Sequence, residues 1–178
     1  MRPWRPGDRH PDRASMLRVD QAGEYGATRI YAGQLAVLRR NCPEAKLIAR
    51  MAAQEERHLK RFDALVAERG VRPTALQPLW NVAGFALGAV TALMSEKAAL
   101  ACTDAVETEI DRHYRSQLAE LGDDDPEFAA DIEEFRAEEL EHRDTARAAG
   151  AANTPGYPLF TAAIRAGCRV AIELSKRI

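Results

Sequence analysis

Residues 47–65 read LIARMAAQEERHLKRFDAL, and residues 128–146 read FAADIEEFRAEELEHRDTA. In the first stretch Leu47, Met51, Glu55, His58, Phe62 and Leu65 recur in steps of three and four, which places them on one face of a helix. In the second, Phe128, Ile132, Phe135, Glu139, His142 and Ala146 recur in the same way. An apolar stripe is the side of a helix that packs into a core. Each stretch therefore buries a carboxylate and an imidazole in the middle of its core face.

Working outward, two more helices carry one glutamate each in phase with their stripes. One shows Leu17, Glu24, Tyr31 and Leu38 in steps of seven; the other shows Leu100, Thr103, Glu107, Ile110, Tyr114 and Leu121. Glu24 precedes Glu55 by 31 residues and Glu107 precedes Glu139 by 32, so the chain reads as two similar halves. Burying one unpaired carboxylate costs several kcal/mol or forces its pKa up. Four in one core require positive charge between them, and two divalent metal ions supply it. Glu and His three residues apart are neighbours on a helix surface, about 5–6 Å between Cβ atoms, so one ion can take both. This is the donor set of ferritin-like di-iron carboxylate proteins. Carboxylate and imidazole without thiolate suit iron or manganese. A single Glu-x-x-His would read as a surface pair; two, in phase and with matching partner glutamates, read as a metal centre held by Glu24, Glu55, His58, Glu107, Glu139 and His142.

Around these, Glu56, Glu138 and Glu141 fall off the stripes and read as a solvated face. Metal-bound histidines usually donate their other N–H to a carboxylate or carbonyl. Asp20, Asp104 and Asp111, three or four residues from a candidate glutamate ligand, are the candidates for that role. Tyr31 lies two turns beyond Glu24, and His113 and Tyr114 lie one to two turns beyond Glu107. Gly23, Gly26 and Gly33 weaken one helix, which suggests close backbone approach or room for a substrate.

The expected fold is all-α: a ferritin-like four-helix bundle built from two similar halves, with two additional apolar helices. Ala, Leu, Glu and Arg dominate from Ser15 to Gly150, and apolar/polar alternation is almost absent. Ser15 is the expected cap of the first helix. Pro43, Ser95 and Asp125-Pro126 start later ones, and Gly70, Gly122 and Gly150 end them. Apolar helices are expected over about 79–94 and 158–176. Residues 1–14, including His10, read as a flexible tail and residues 15–178 as one bundle domain. The net charge of −2, without a basic stripe, excludes a nucleic-acid partner. Cys42, Cys102 and Cys168 are odd in number and far apart, so reduced thiols are expected.

The segments VDQAGEYGATRIYAGQ (19–34), QEERHLKRF (54–62), RPTALQPLWNVAGFALGA (72–89), ACTDAVETEIDRHY (101–114), EELEH (138–142) and AGCRVAIELSKR (166–177) resemble the demethoxyubiquinone hydroxylase family of ubiquinone biosynthesis, the Coq7/Clk-1 type. The resemblance covers nearly all of the chain after the tail. It implies two iron ions on the six residues named above, with His113 and Tyr114 beside them as catalytic residues. It also implies O₂-dependent hydroxylation of a polyprenylated demethoxy-benzoquinone. The electron donor would be NADH, acting without a Rossmann module since no GxGxxG occurs, or a separate reductase. The eukaryotic targeting extension is lacking, which points to the cytoplasmic side of a bacterial membrane, or to the matrix side of the mitochondrial inner membrane for a processed form.

Two further expectations concern partners. The segment Leu79–Met94 is shorter than the roughly 20 residues that span a bilayer. The last helix gathers Leu159, Phe160, Ala163, Ile164, Gly167, Val170, Ala171 and Leu174 on one side, with Arg165, Arg169, Lys176 and Arg177 elsewhere. That is the pattern of a helix lying in an anionic interface or against a protein of the ubiquinone-synthesis complex. The competing reading is a ferritin-like iron-binding or ferroxidase protein without an organic substrate.

Overall fold

Asp12, not Ser15, caps the first helix: its carboxylate accepts the Ser15 backbone N–H at 3.0 Å. In the computed structural model, which describes residues 12–178, the chain forms α1 (Arg13–Val37), α2 (Pro43–Glu68), α3 (Gln77–Met94), α4 (Glu96–Leu121), α5 (Pro126–Ala148) and α6 (Tyr157–Arg177), with a short 3₁₀ turn at Ala151–Asn153. No strand occurs among the described residues. Of the expected tail, Arg13 and Ala14 belong to α1, while His10 lies outside the described residues.

The remaining starts follow the expected chemistry. Pro43 opens α2, Ser95 accepts the Ala98 N–H at 3.0 Å to open α4, and Asp125 accepts the Phe128 N–H at 3.2 Å ahead of Pro126 in α5. Gly122 ends α4 with φ 55°, a conformation that a Cβ disfavours.

Helices α1, α2, α4 and α5 form the bundle, with α1 packed on α2 and α4 on α5. One apolar cluster gathers Tyr31, Ile48, Met51, Leu100 and Ala146; another gathers Leu17, Phe62, Tyr114, Ile132 and Phe135. The in-phase glutamates and histidines lie along the helices between these clusters. Helix α3 packs on α1, and α6 on α4 and α1. Glycine makes the α1–α3 contact possible. A Cβ on Gly33 would sit 2.1 Å from the Phe85 carbonyl oxygen, and one on Gly88 only 1.9 Å from that of Ile30. Away from α1, Leu79, Val82, Val90 and Leu93 of α3 and Leu159 and Val170 of α6 stay exposed. No helix among the described residues is long and apolar enough to cross a membrane.

Candidate metal centre

The helical stripes bring all six expected ligands to one point in the bundle. Glu24 comes from α1, Glu55 and His58 from α2, Glu107 from α4, and Glu139 and His142 from α5; none is more than 3% exposed. Their donor atoms fall into two groups, Glu24–Glu55–His58–Glu139 and Glu55–Glu107–Glu139–His142, with the donors of each group within 4.8 Å of one another. The glutamates of the two Glu-x-x-His motifs, Glu55 and Glu139, belong to both groups. The lone glutamates, Glu24 and Glu107, each belong to one.

The histidines turn Nδ1 inward. His58 Nδ1 lies 3.0 Å from Glu139 and 3.4 Å from Glu24, and His142 Nδ1 lies 3.1 Å from both Glu55 and Glu139. Stacking on Phe135, with ring centres 4.2 Å apart, fixes the His58 plane. Tyr31 donates its hydroxyl to Glu107 at 2.9 Å, and Tyr114 donates its own to Glu24.

The electrostatics suit a bound cation. Burial, and then the neighbouring carboxylates, push Glu55 and Glu107 well above the ordinary carboxylate range, and burial raises Glu24 as well. Burial opposes the charge on Glu139 too, but His142 and His58 hold its carboxyl down at about 2. Burial likewise works against His58, yet Glu139 and Glu24 carry it up to about 10. Glu24 Oε2 and Glu55 Oε1 are buried without a well-formed hydrogen bond and face only His58 Nδ1 at 3.4 Å and His142 Nδ1 at 3.1 Å. Four converging carboxylates and two imidazoles that turn Nδ1 toward them fit a pair of divalent cations.

The surroundings differ from the sequence reading in four respects. Asp20, Asp104 and Asp111 do not hold the ligand histidines. Asp20 takes His113 Nε2 at 3.2 Å and Gln117 at 2.8 Å, Asp104 takes Arg147 and Tyr157, and Asp111 takes Arg136 at 2.7 Å. Each lies on α1 or α4, facing a neighbour other than α2 or the ligand face of α5. The outer nitrogens are instead held by the residues just before the Glu-x-x-His glutamates: His58 Nε2 by Glu138 and His142 Nε2 by Gln54, both at 2.9 Å. Glu138 is thus no mere solvated side chain, whereas Glu56 and Glu141 are exposed as expected. The matching offset in the two halves is the signal that would have revealed this pair. His113 turns to Asp20 and reaches the centre only through its neighbours, while Tyr114 touches Glu24 directly. Arg165 and Arg169, read as interfacial charges, both donate to buried Glu109 at 2.8 Å.

An apolar groove of about 470 Å³ lies between α3, α6 and the two helices α1 and α4 that carry Glu24 and Glu107; none of the six expected ligands lines it. Gly23 and Ala27 line it on either side of Glu24, and Val106 and Ile110 on either side of Glu107. Gly23 and Gly26 therefore provide the room, and Gly33 the close approach. Trp80 closes one part of the groove by donating to Ser175 at 3.1 Å, but Phe85 lies outside it under the Arg29 guanidinium. The three cysteines are unpaired.

A helical bundle with two buried carboxylate–histidine clusters that share two glutamates and could hold metal ions has the make-up of the ferritin-like class. A family model described as ubiquinone biosynthesis protein COQ7 matches residues 11–175. A relative from Rhodospirillum rubrum, named 3-demethoxyubiquinol 3-hydroxylase, is 56% identical over 177 residues, spanning 97% of this chain and 82% of its own. The human protein named NADPH-dependent 3-demethoxyubiquinone 3-hydroxylase, mitochondrial, is 51% identical over 167 residues, 92% of this chain and 76% of its own. The Saccharomyces cerevisiae protein named 5-demethoxyubiquinone hydroxylase, mitochondrial, is 41% identical over 179 residues, 92% of this chain and 77% of its own. The chain belongs to the ubiquinone biosynthesis protein COQ7 family.

Proposed function

We propose that this chain hydroxylates the ring of a polyprenylated demethoxyubiquinone with O₂. Glu24, Glu55, His58, Glu107, Glu139 and His142 would hold two iron ions, which when reduced supply the activation of O₂. Overall, a ring C–H, O₂, two electrons and two protons become a ring C–OH and water. The observation that carries this reading is the apolar groove walled by α1 and α4, the helices that carry Glu24 and Glu107. Its volume lies within the range of small-molecule sites, and a protein that only stores iron has no use for it.

The residues of the chain divide the work. The groove walls from α1 and α4 bring the ring beside Glu24 and Glu107 and exclude water. Its open side, between α3 and α6, leads the isoprenoid tail toward the exposed apolar residues of those helices. Tyr114 donates its hydroxyl to the Glu24 carboxylate and Tyr31 its own to that of Glu107, so each keeps a phenol proton beside the centre. His113, anchored by Asp20, acts as a positioning residue for the helix that carries Tyr114. The electron donor is a nicotinamide, as the human relative's name suggests for that protein, reacting directly or through a reductase. The exposed faces of α3 and α6 attach the protein peripherally to a membrane, or to a partner protein there.

The test is anaerobic loading with Fe²⁺, addition of reductant and a short-tailed demethoxyubiquinone, then exposure to ¹⁸O₂. One labelled oxygen in the hydroxylated quinone is the expected result. Label found only in water or in mineralised iron, with the quinone unchanged, would restore the ferroxidase reading.

A further inference from the structure

The groups of the metal centre come in matched pairs from the two halves: Glu24 with Glu107, Glu55 with Glu139, His58 with His142, and Tyr31 with Tyr114. Each tyrosine follows its own helix's lone glutamate by seven residues and donates to the other one. The pairing fails one step further out. The residue before each motif glutamate holds the far nitrogen of the opposite histidine, at the same 2.9 Å, yet one is Glu138 and the other Gln54. The geometry is conserved between the halves and the charge is not.

We infer that Glu138 and Gln54 make the two metal positions unequal, with Glu138 rendering the His58 position the tighter one. This rests on the two-metal reading above. A hydrogen bond to an ionised acceptor is about twice as strong as one between neutral groups. Drawing the Nε2 proton toward a carboxylate leaves more electron density on Nδ1, and so a more basic metal ligand. An amide oxygen does this more weakly. Arg57 pairs with both oxygens of Glu138, including the one that faces His58, and with Glu134; this keeps the carboxylate ionised, while the 51% exposure of the Arg57 side chain lets water screen the pair. Glu138 therefore remains an anionic acceptor for His58.

The remaining contacts leave little freedom to exchange these roles. Gln54 Nε2 donates to Glu138 Oε2 at 3.4 Å, which turns the amide oxygen toward His142. His142 then carries its proton on Nε2 and offers Nδ1 to the centre. The strap His142–Gln54–Glu138–His58 crosses from α5 to α2, back to α5 and again to α2. Glu138 and Gln54 are only partly buried, so substituting them opens no cavity in the core.

The inference is tested on the metal-free full chain by anaerobic titration with Co²⁺, followed by calorimetry and visible absorption. Crystals prepared with one equivalent of Co²⁺ locate the first ion by anomalous scattering. The wild type should bind in two steps, with the first ion at the His58 position. Glu138→Gln makes the outer partners alike. Its first step should weaken by about 10- to 100-fold while the other position moves by less than about threefold, and one equivalent should spread over both positions. Gln54→Ala should do the opposite, weakening the His142 position and widening the gap. Equal filling in the wild type, a first ion at the His142 position, or an equal loss at both positions in Glu138→Gln would overturn the inference and leave the two-metal reading intact. A wild-type chain that takes up fewer than two ions would overturn both.

Discussion

The Tyr31 hydroxyl reaches across the bundle to Glu107, 76 residues away in the chain, and donates to its carboxylate at 2.9 Å. Tyr114 makes the mirror-image contact to Glu24. Both tyrosines are fully buried, and each gives one oxygen of a buried carboxylate its donor. Tyr31→Phe and Tyr114→Phe should each destabilise the metal-free protein by about 1–2 kcal/mol, a buried hydrogen bond left half made. The two losses should be alike because the environments are. Urea unfolding of both variants measures this, and an effect confined to one would contradict the two-fold character of the site.

Shared and unshared glutamates should differ in metal stoichiometry. Glu55 and Glu139 contribute to both donor groups, Glu24 and Glu107 to one each. Glu24→Ala or Glu107→Ala should lower tightly bound iron from two ions toward one. The Glu55→Ala, Glu139→Ala double variant should bind none while keeping its helical circular dichroism. Elemental analysis after dialysis against a weak chelator distinguishes the cases.

The glycines of α1 and α3 predict opposite phenotypes. Nothing lies within 4 Å of a Cβ built on Gly26, which faces the groove. Gly26→Leu should leave stability unchanged or raise it by up to about 1 kcal/mol through helix propensity, keep the metal, and impair quinone turnover by filling the groove. Gly88→Ala should instead lower stability by about 1–3 kcal/mol, because its Cβ meets the Ile30 backbone and drives α3 off α1. Thermal unfolding and turnover of the pair separate the two effects.

Metal uptake should strengthen with pH. Glu24, Glu55 and Glu107 have folded-state pKa values raised by burial and mutual repulsion, and His58 is lifted to about 10. A raised folded-state pKa contributes stability that is complete below the unfolded value and is lost as pH climbs through the folded one. The metal-free protein therefore loses these contributions as pH rises above the ordinary carboxylate range and, for His58, through neutrality to about 10. Bound cations replace the protons. The gain in Tm on metal loading should be larger at pH 8 than at pH 5.5, and calorimetry in buffers of different ionisation heat should register protons released per metal bound.

The proposed membrane attachment predicts binding to liposomes that depends more on apolar contact than on charge. Arg165 and Arg169 are paired with Glu109, whereas Leu93 and Leu159 are 72% and 79% exposed. Leu93→Ser with Leu159→Ser should abolish co-flotation with liposomes, and salt should weaken wild-type binding only modestly. Strong salt dependence, or binding unchanged in the double variant, would point to the polar face of α6 instead.

The repeating stripe is enough to identify the six buried, converging carboxylates and imidazoles and the two related halves, because periodicity records the angle of each side chain about its own helix axis. The caps at Pro43, Ser95 and Asp125 were legible for a similar reason: they are local backbone chemistry. Relations between helices were not legible. That Glu55 and Glu139 are the shared carboxylates, that each tyrosine serves the other half's glutamate, and that Glu138 and Gln54 rather than Asp20, Asp104 and Asp111 hold the histidines depend on how far each helix slides and turns against its neighbours. Packing decides that, through contacts such as Gly33 and Gly88 between α1 and α3, which join residues distant in the chain. Arg165 and Arg169 illustrate the same limit, since their position on α6 was readable and the buried Glu109 facing them across α4 was not.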